Sequence, residues 1–335
     1  GRRTKDGFSC SFRRTADGER RTSPEKMESV PIFQKVVNIL KKRNILLVLA
    51  AAAAVALFFF VRAVFRGDII VNPVIIENLG PFSIRWYGVF IAAAIITAYL
   101  IARAQTLREG VKEEYLIEGT FLGIIFGVIG ARLYYVAFNF EFYRDDFFSI
   151  FKTWDGGLAI HGGFLVGLLV AFLYTTFRKK AGATFLQATD VLTLVFPLGQ
   201  AIGRWGNFMN YEAYGNPTDL PWKMFVPPQY RMPGYSRSSY FHPTFLYESL
   251  ANIAIFVFLF WYLRKKRKNY GEVTGLYMIL YSIIRFIIEG LRLDSLYIGQ
   301  TELRTARVVS VILLVLGTIL VILSRYKGKP VKEGA

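Results

Sequence analysis

Eight apolar runs, each near the about 20 residues that cross a hydrocarbon core as a helix, recur along this chain. They lie at 45–65, 83–103, 115–138, 158–177, 186–203, 244–263, 273–290 and 306–324. The fold expected is an all-α polytopic membrane protein. Composition agrees, since 53% of the 335 residues are hydrophobic and 30 are Phe, too many for a soluble domain.

The chain nevertheless carries a formal charge of +17. Its Lys and Arg lie in short clusters between the apolar runs and form no basic domain, so a nucleic-acid partner is not expected. The clusters instead orient the chain. Lys41–Arg43 precede the first run; Arg103, Arg108 and Lys112 follow the second; Arg178–Lys180 follow the fourth. Arg264–Lys268 follow the sixth, and Arg325, Lys327, Lys329 and Lys332 follow the last. Every second connection is basic, which predicts one threading with both termini cytoplasmic and with 66–82, 139–157, 204–243 and 291–305 facing outward.

Residues 1–44 are polar and basic and are expected to be a disordered cytoplasmic tail, and 328–335 a short basic cytoplasmic tail. The run Ile45–Val61, at the start of the expected anchor 45–66, is long for a signal-peptide core. FVRAVFR (Phe60–Arg66) follows where small residues would mark cleavage, so an uncleaved anchor is expected. The loop 139–157 mixes aromatic residues with charges, a pattern suited to an element lying in the membrane interface or to an aromatic-belt loop. The lone Cys10 excludes an intrachain disulfide and a CxxC motif, so any thiol chemistry must use a thiol from the substrate.

Several charged groups fall toward the outward ends of the runs. Tyr281, Arg285 and Glu289 recur every four residues, with Arg292 three later, and so share one helical stripe. Arg285 and Glu289 could simply satisfy each other, but polar groups in lipid usually face a bundle interior or a wet cavity. Arg132, His161, Arg204, Glu212 and Glu248 come to the same depth from other parts of the chain. Guanidinium groups bind phosphate through paired hydrogen bonds, so this group suits an anionic phospholipid headgroup, with the glutamates offsetting charge. Asn207 and Asn210 suit a glycerol hydroxyl or an ester. His161 is a candidate general base or a structural histidine, and His242 a helix-start residue. Asp190, toward the inward side, is expected to pair or cap within the bundle. A lipid or anion transporter using the same arginines is the alternative, and a headgroup phosphatase a third reading.

Six motifs narrow the choice: IRWYG (Ile84–Gly88), GARLYY (Gly130–Tyr135), GGLAIHGG (Gly156–Gly163), GRWGNFMNYEAYG (Gly203–Gly215), HPTFLYE (His242–Glu248) and RFIIEGLR (Arg285–Arg292). In identity and order they resemble the bacterial prolipoprotein diacylglyceryl transferases, from Pro73 to Lys327. The resemblance implies a seven-span core at 73–327, to which 45–66 adds an extra helix, in the bacterial inner membrane. It implies transfer of a diacylglyceryl group from phosphatidylglycerol to the lipobox cysteine of prolipoprotein signal peptides, releasing glycerol phosphate, with no cofactor and no metal. It places the family's important positions on Tyr87, His161, Arg204, Asn207, Glu212, Gly215, Tyr281, Arg285 and Glu289. With the residue-based candidates Arg132, Asn210, Glu248 and Arg292, these make the expected site, with His161, Arg204 and Arg285 catalytic. Phe245 departs from the pattern, standing where relatives often carry a polar residue.

Overall fold

A computed structural model describes residues 30–79, 82–144, 146–153, 156–299 and 301–331. The expected tail at 1–29 and the last residues, 332–335, lie outside the described part. The chain divides into two units, Gly1–Phe59 and Phe60–Ala335.

The first unit contributes most of helix α1 (Val30–Arg66). This helix starts well before 45, inside the segment expected to be disordered. Phe33, Val36, Val37 and Leu40 recur at helical intervals there, a pattern that the surrounding basic residues mask.

The second unit holds α2 (Trp86–Arg108), α3 (Glu113–Phe138), α4 (Ile160–Phe177), α5 (Phe185–Met209), α6 (Thr244–Lys265), α7 (Glu272–Glu289) and α8 (Thr305–Lys327). Each predicted run therefore lies largely in one helix, and the protein is an all-α polytopic membrane protein. Among the described residues, six of the eight α-helices are long and apolar enough to cross a membrane by length and composition. The other two are α4, which is shorter, and α7, whose 18 residues include Glu272, Arg285 and Glu289. Large apolar side chains along α3, α4 and α8 stay exposed, among them Phe121, Leu133, Leu165, Ile312 and Leu323. Lipid is the solvent that accommodates such surfaces.

α5 is the central helix, touching α2, α4, α6 and α7. Leu194 and Val195 on it meet Ile255 and Leu259 of α6 and Val273 and Tyr277 of α7 in the main apolar core. α3 and α4 approach until backbone meets backbone: a Cβ on Gly162 would collide with the Gly130 carbonyl oxygen. Only glycine permits that contact.

Two small hairpins, not foreseen from the sequence, decorate one end of the bundle. β1 (Val74–Leu79) pairs antiparallel with β2 (Phe82–Arg85), which explains why α2 begins at Trp86 rather than 83. β3 (Met224–Phe225) pairs with β4 (Tyr240–Phe241). Met224 and Phe241 join Phe208, Met209, Tyr211, Tyr214 and Phe245 in a second, largely aromatic core. Phe245 stacks on Phe208 at 4.7 Å, so the position that departs from the family pattern is filled by packing. Val64, 1% exposed, and Phe65, from the last turn of α1, belong to this core.

The opposite end is held by a buried polar network. Asp190 on α5 caps α7 across the bundle, accepting from the Gly271 and Thr274 amides at 2.9 Å each and from the Thr274 hydroxyl at 2.8 Å. Those amides begin a helix and have no intrahelical partner, so a carboxylate there satisfies both donors and the helix dipole. Glu109 accepts from Gln105 at 2.6 Å, Gln187 at 2.9 Å and Arg267 at 2.7 Å, joining α2, α5 and the α6–α7 connection.

Candidate active site

The C-terminal turns of α5 and α7 and the first turns of α2 and α6 meet at the hairpin end. α5 runs to Met209, beyond the end expected at 203, so Arg204 and Asn207 share one helical face. The Arg204 Nη1 donates to Asn207 Oδ1 at 3.2 Å, and Asn207 Nδ2 donates to Glu212 Oε1 at 2.8 Å. Asn210, the C-cap, reaches the same Glu212 oxygen at 3.4 Å.

Glu248, on the second turn of α6, is the hub. Arg204 Nη2 pairs with its Oε2, while Arg285 Nη1 and Arg292 Nη1 both donate to its Oε1 at 3.1 Å. The Glu248 side chain is 3% exposed. Three charge-assisted contacts are what such a buried carboxylate requires. Arg285 Nη2 also lies 2.8 Å from Glu289 Oε2, one turn along α7, so the pair foreseen from spacing exists within a larger group. Arg292 grips Asp294 with two nitrogens, at 2.8 and 2.5 Å. Burial pushes the Asp294 carboxyl up, but the hydrogen bonds and charge of Arg292 outweigh this and hold it below its ordinary range.

Donor counting separates the arginines, since each guanidinium has five N–H groups. Arg204 and Arg285 each spend two nitrogens on the cluster, and their Nε–H groups have no partner among the described residues. Arg132 is different. Its Nε donates to Ile150 O at 2.7 Å, Nη1 to Gly156 O and Gly157 O at 2.7 and 2.9 Å, and Nη2 to Ser149 O and Lys152 O at 2.7 and 3.3 Å. All five donors meet carbonyls, and the side chain makes no hydrogen bond with the Glu248 group. Arg132 thus ties the loop before α4 onto α3 and has no N–H left for a headgroup.

Tyr87, on the first turn of α2, lies against α5 where a Cβ on Gly206 would come within 2.7 Å of its ring. Gly215 is enclosed: a Cβ would lie 2.7 Å from the Leu291 carbonyl oxygen and 2.9 Å from the His242 Cβ. Its amide donates to His242 O at 2.9 Å, and Asn216 N to Leu291 O at 2.8 Å, so the signature turn is sewn between α6 and the segment after α7. Tyr281 stacks on Tyr277 at 5.6 Å, one turn before Arg285.

His161 opens α4 and is exposed; its ring lies 6.3 Å from that of Tyr134, and it forms no hydrogen bond with the arginine cluster among the described residues. His242 is half-buried beside the Tyr247 hydroxyl, 3.3 Å from Nδ1, and burial lowers its pKa. Asp294 and Arg304 escaped the sequence reading. Arg304 donates to the Glu289 carbonyl at the end of α7, and only the proximity of Asp294 to Arg292 could have signalled that pair.

Comparison with known proteins identifies the family. The family model described as prolipoprotein diacylglyceryl transferase matches residues 73–323. A phosphatidylglycerol–prolipoprotein diacylglyceryl transferase of Fervidobacterium nodosum is 53% identical over 258 residues, covering 77% of this chain and 87% of the relative. The enzyme of the same name from Thermotoga maritima is 50% identical, covering 77% and 86%. That from Thermosynechococcus vestitus is 41% identical over 257 residues, covering 76% and 94%. These names are those of transferases and leave the transporter alternative without support. The chain belongs to the prolipoprotein diacylglyceryl transferase family.

Proposed function

We propose that this protein transfers a diacylglyceryl group from phosphatidylglycerol to the lipobox cysteine thiol of a prolipoprotein, at the cluster centred on Glu248. The observation that carries the site assignment is the meeting of Arg204, Arg285 and Arg292 on one nearly dry carboxylate, with unspent guanidinium donors on the first two.

The acceptor sulfur, as thiolate, attacks the glycerol carbon that bears the phosphate. A carbon–sulfur bond forms, the carbon–oxygen bond breaks, and its electron pair leaves with glycerol phosphate. Charge grows on that phosphate oxygen, and the free N–H groups of Arg204 and Arg285 supply the donors that stabilise it in this reading; one good donor contributes about 3 kcal/mol. Glu212, Glu248, Glu289 and Asp294 offset the charge of the three arginines, so directed hydrogen bonds rather than net charge hold the headgroup. Asn207, Asn210, Glu212 and Tyr87 border it on the α5 side, and Tyr281, Glu289 and Gly215 complete the frame.

A thiol with a pKa near ~8.5 is only slightly ionised at neutral pH, so a base helps. His161 is proposed for that role, and its ring nitrogens are free of intraprotein hydrogen bonds among the described residues. Arg132 serves the site indirectly, by fixing the loop that leads to His161.

The alternating basic connections support a cytoplasmic-membrane protein with both termini inside and this end of the bundle outside. Residues 73–327 form the proposed transferase body and 45–66 an added anchor. Incubating the purified protein with phosphatidylglycerol and a lipobox peptide tests the reading. Mass spectrometry should find the peptide heavier by one diacylglyceryl group; an unmodified peptide alongside bound or hydrolysed lipid would refute it.

A further inference from the structure

Beyond the arginine cluster, the turn after α5 carries main-chain groups that the protein does not use. Tyr211, Ala213 and Tyr214 are buried. Yet the amides of Ala213 and Tyr214 and the carbonyl of Tyr211 meet no hydrogen-bond partner among the described residues; neither does the carbonyl of Glu212, a residue that is exposed. Buried backbone groups are nearly always paired, so the first three call for a partner from outside.

Tyr211 and Ala213 have φ of 53° and 57°, left-handed values that cost L-residues roughly 1–3 kcal/mol and gather at functional sites. Tyr211, Glu212, Ala213 and Tyr214 line a half-open cavity of about 220 Å³ together with Tyr230, Met232 and Asp294. Its walls are braced. The Tyr211 hydroxyl accepts from Val71 N at 2.7 Å, and its ring stacks on Tyr230 at 5.0 Å. The Tyr214 hydroxyl donates to Tyr230 O at 3.0 Å and accepts from Met232 N at 2.6 Å. With the Tyr214 hydroxyl spent and that of Tyr211 accepting from Val71, rings, a thioether and free main chain remain to meet a ligand. Glu212 joins this cavity to the catalytic cluster, since its Oε1 holds Asn207.

We infer that this cavity holds, in extended form, the polypeptide immediately C-terminal to the acceptor cysteine; the inference rests on the transferase reading of the adjoining cluster. Free amides and carbonyls match a peptide backbone, as when an extended segment pairs with exposed main chain. They do not match an acyl chain. The cavity is built from residues outside the helices, so the ligand is the polar segment that emerges from lipid rather than the apolar signal segment within it.

The test uses the full-length protein in phosphatidylglycerol nanodiscs with synthetic lipobox peptides. Met232→Trp fills the cavity. In a second arm the wild-type protein meets peptides N-methylated at the first or second amide after the cysteine, which removes a backbone donor. Each change should raise KM for the peptide on the order of tenfold, the size expected for lost hydrogen bonds and contacts, with KM for phosphatidylglycerol unmoved. Methylation should matter less in Met232→Trp than in the wild type. A peptide KM indifferent to methylation, or a Met232→Trp effect on the lipid KM instead, overturns the assignment. If Met232→Trp fails to fold, the methylated peptides decide alone. Absence of any thioether product with wild-type protein and unmodified peptide would refute the transferase reading itself, a different outcome from normal transfer with an indifferent KM.

Discussion

Glu248 and Arg285 stand on successive helices and touch at 3.1 Å, with the carboxylate almost excluded from solvent. Because Arg204 and Arg292 share that carboxylate, the ends of α5, α6 and α7 are locked by one side chain. The lock leaves Arg204 and Arg285 with unpaired Nε–H groups among the described residues, the kind of donor that the proposed stabilisation of a leaving phosphate requires. Arg132, with every donor spent on carbonyls, contrasts with them and leads to the first prediction.

Arg132→Lys keeps the charge but offers at most three N–H groups to five carbonyls. The unpaired carbonyls should lower stability by about 2 kcal/mol or more, and hydrogen exchange across 146–153 should quicken before that of α5. Phosphatidylglycerol binding per folded molecule should stay near wild type. Loss of lipid binding with unchanged exchange would make Arg132 a headgroup ligand after all.

His161→Ala should slow transfer by ~10² to 10⁴, the usual contribution of a positioned base, while lipid binding persists. Raising the pH toward the thiol pKa supplies thiolate directly, so the variant should recover part of its loss and the wild type should gain less. Joint loss of lipid binding and turnover with no alkaline recovery assigns His161 to binding or packing.

Deleting residues 1–59 should leave an inserted, active protein, because the transferase body lies beyond them. Deleting 1–66 removes Val64 and Phe65 from the aromatic core beside Phe208 and Phe245. Burial of such side chains contributes ~1.5–3 kcal/mol each, so the longer deletion should melt markedly lower. Equal melting of the two truncations would show that the last turn of α1 is dispensable.

The pH dependence of the hairpin end follows from His242, whose pKa burial lowers in the folded protein. The unfolded chain then binds more protons than the folded one below about pH 6.5, so stability is full above that value and falls as pH drops toward the depressed folded pKa. His242→Gln should flatten that part of the melting profile. A wild-type profile that rises as pH falls through this window would contradict the sign.

The helices and most of the cluster were legible in the sequence for physical reasons. Length and hydropathy dictate a spanning helix, and a charge inside one must find company, so Arg204, Glu248 and Arg285 were visible as a group. The fate of Arg132 was not, since its partners are carbonyls of a loop, and backbone groups carry no sequence signature. The start of α1 at Val30 was hidden because charged residues outweigh a short apolar stripe in any averaged reading. The spare main chain of the Tyr211–Tyr214 turn depends on left-handed backbone at two residues that do not advertise it.

The central claim is that guanidinium forks at Arg204 and Arg285 stabilise the departing phosphate, and a lysine, as a point charge, cannot reproduce a fork. The direct measurement is a single-turnover reaction in which mass spectrometry counts thioether peptide and glycerol phosphate together, for wild type, Arg204→Lys and Arg285→Lys at matched membrane levels. The two products should form in equal amounts in the wild type, and both should fall together by about 10²-fold or more in each variant. Near-wild-type turnover in both lysine variants, or glycerol phosphate released without thioether, would contradict the account.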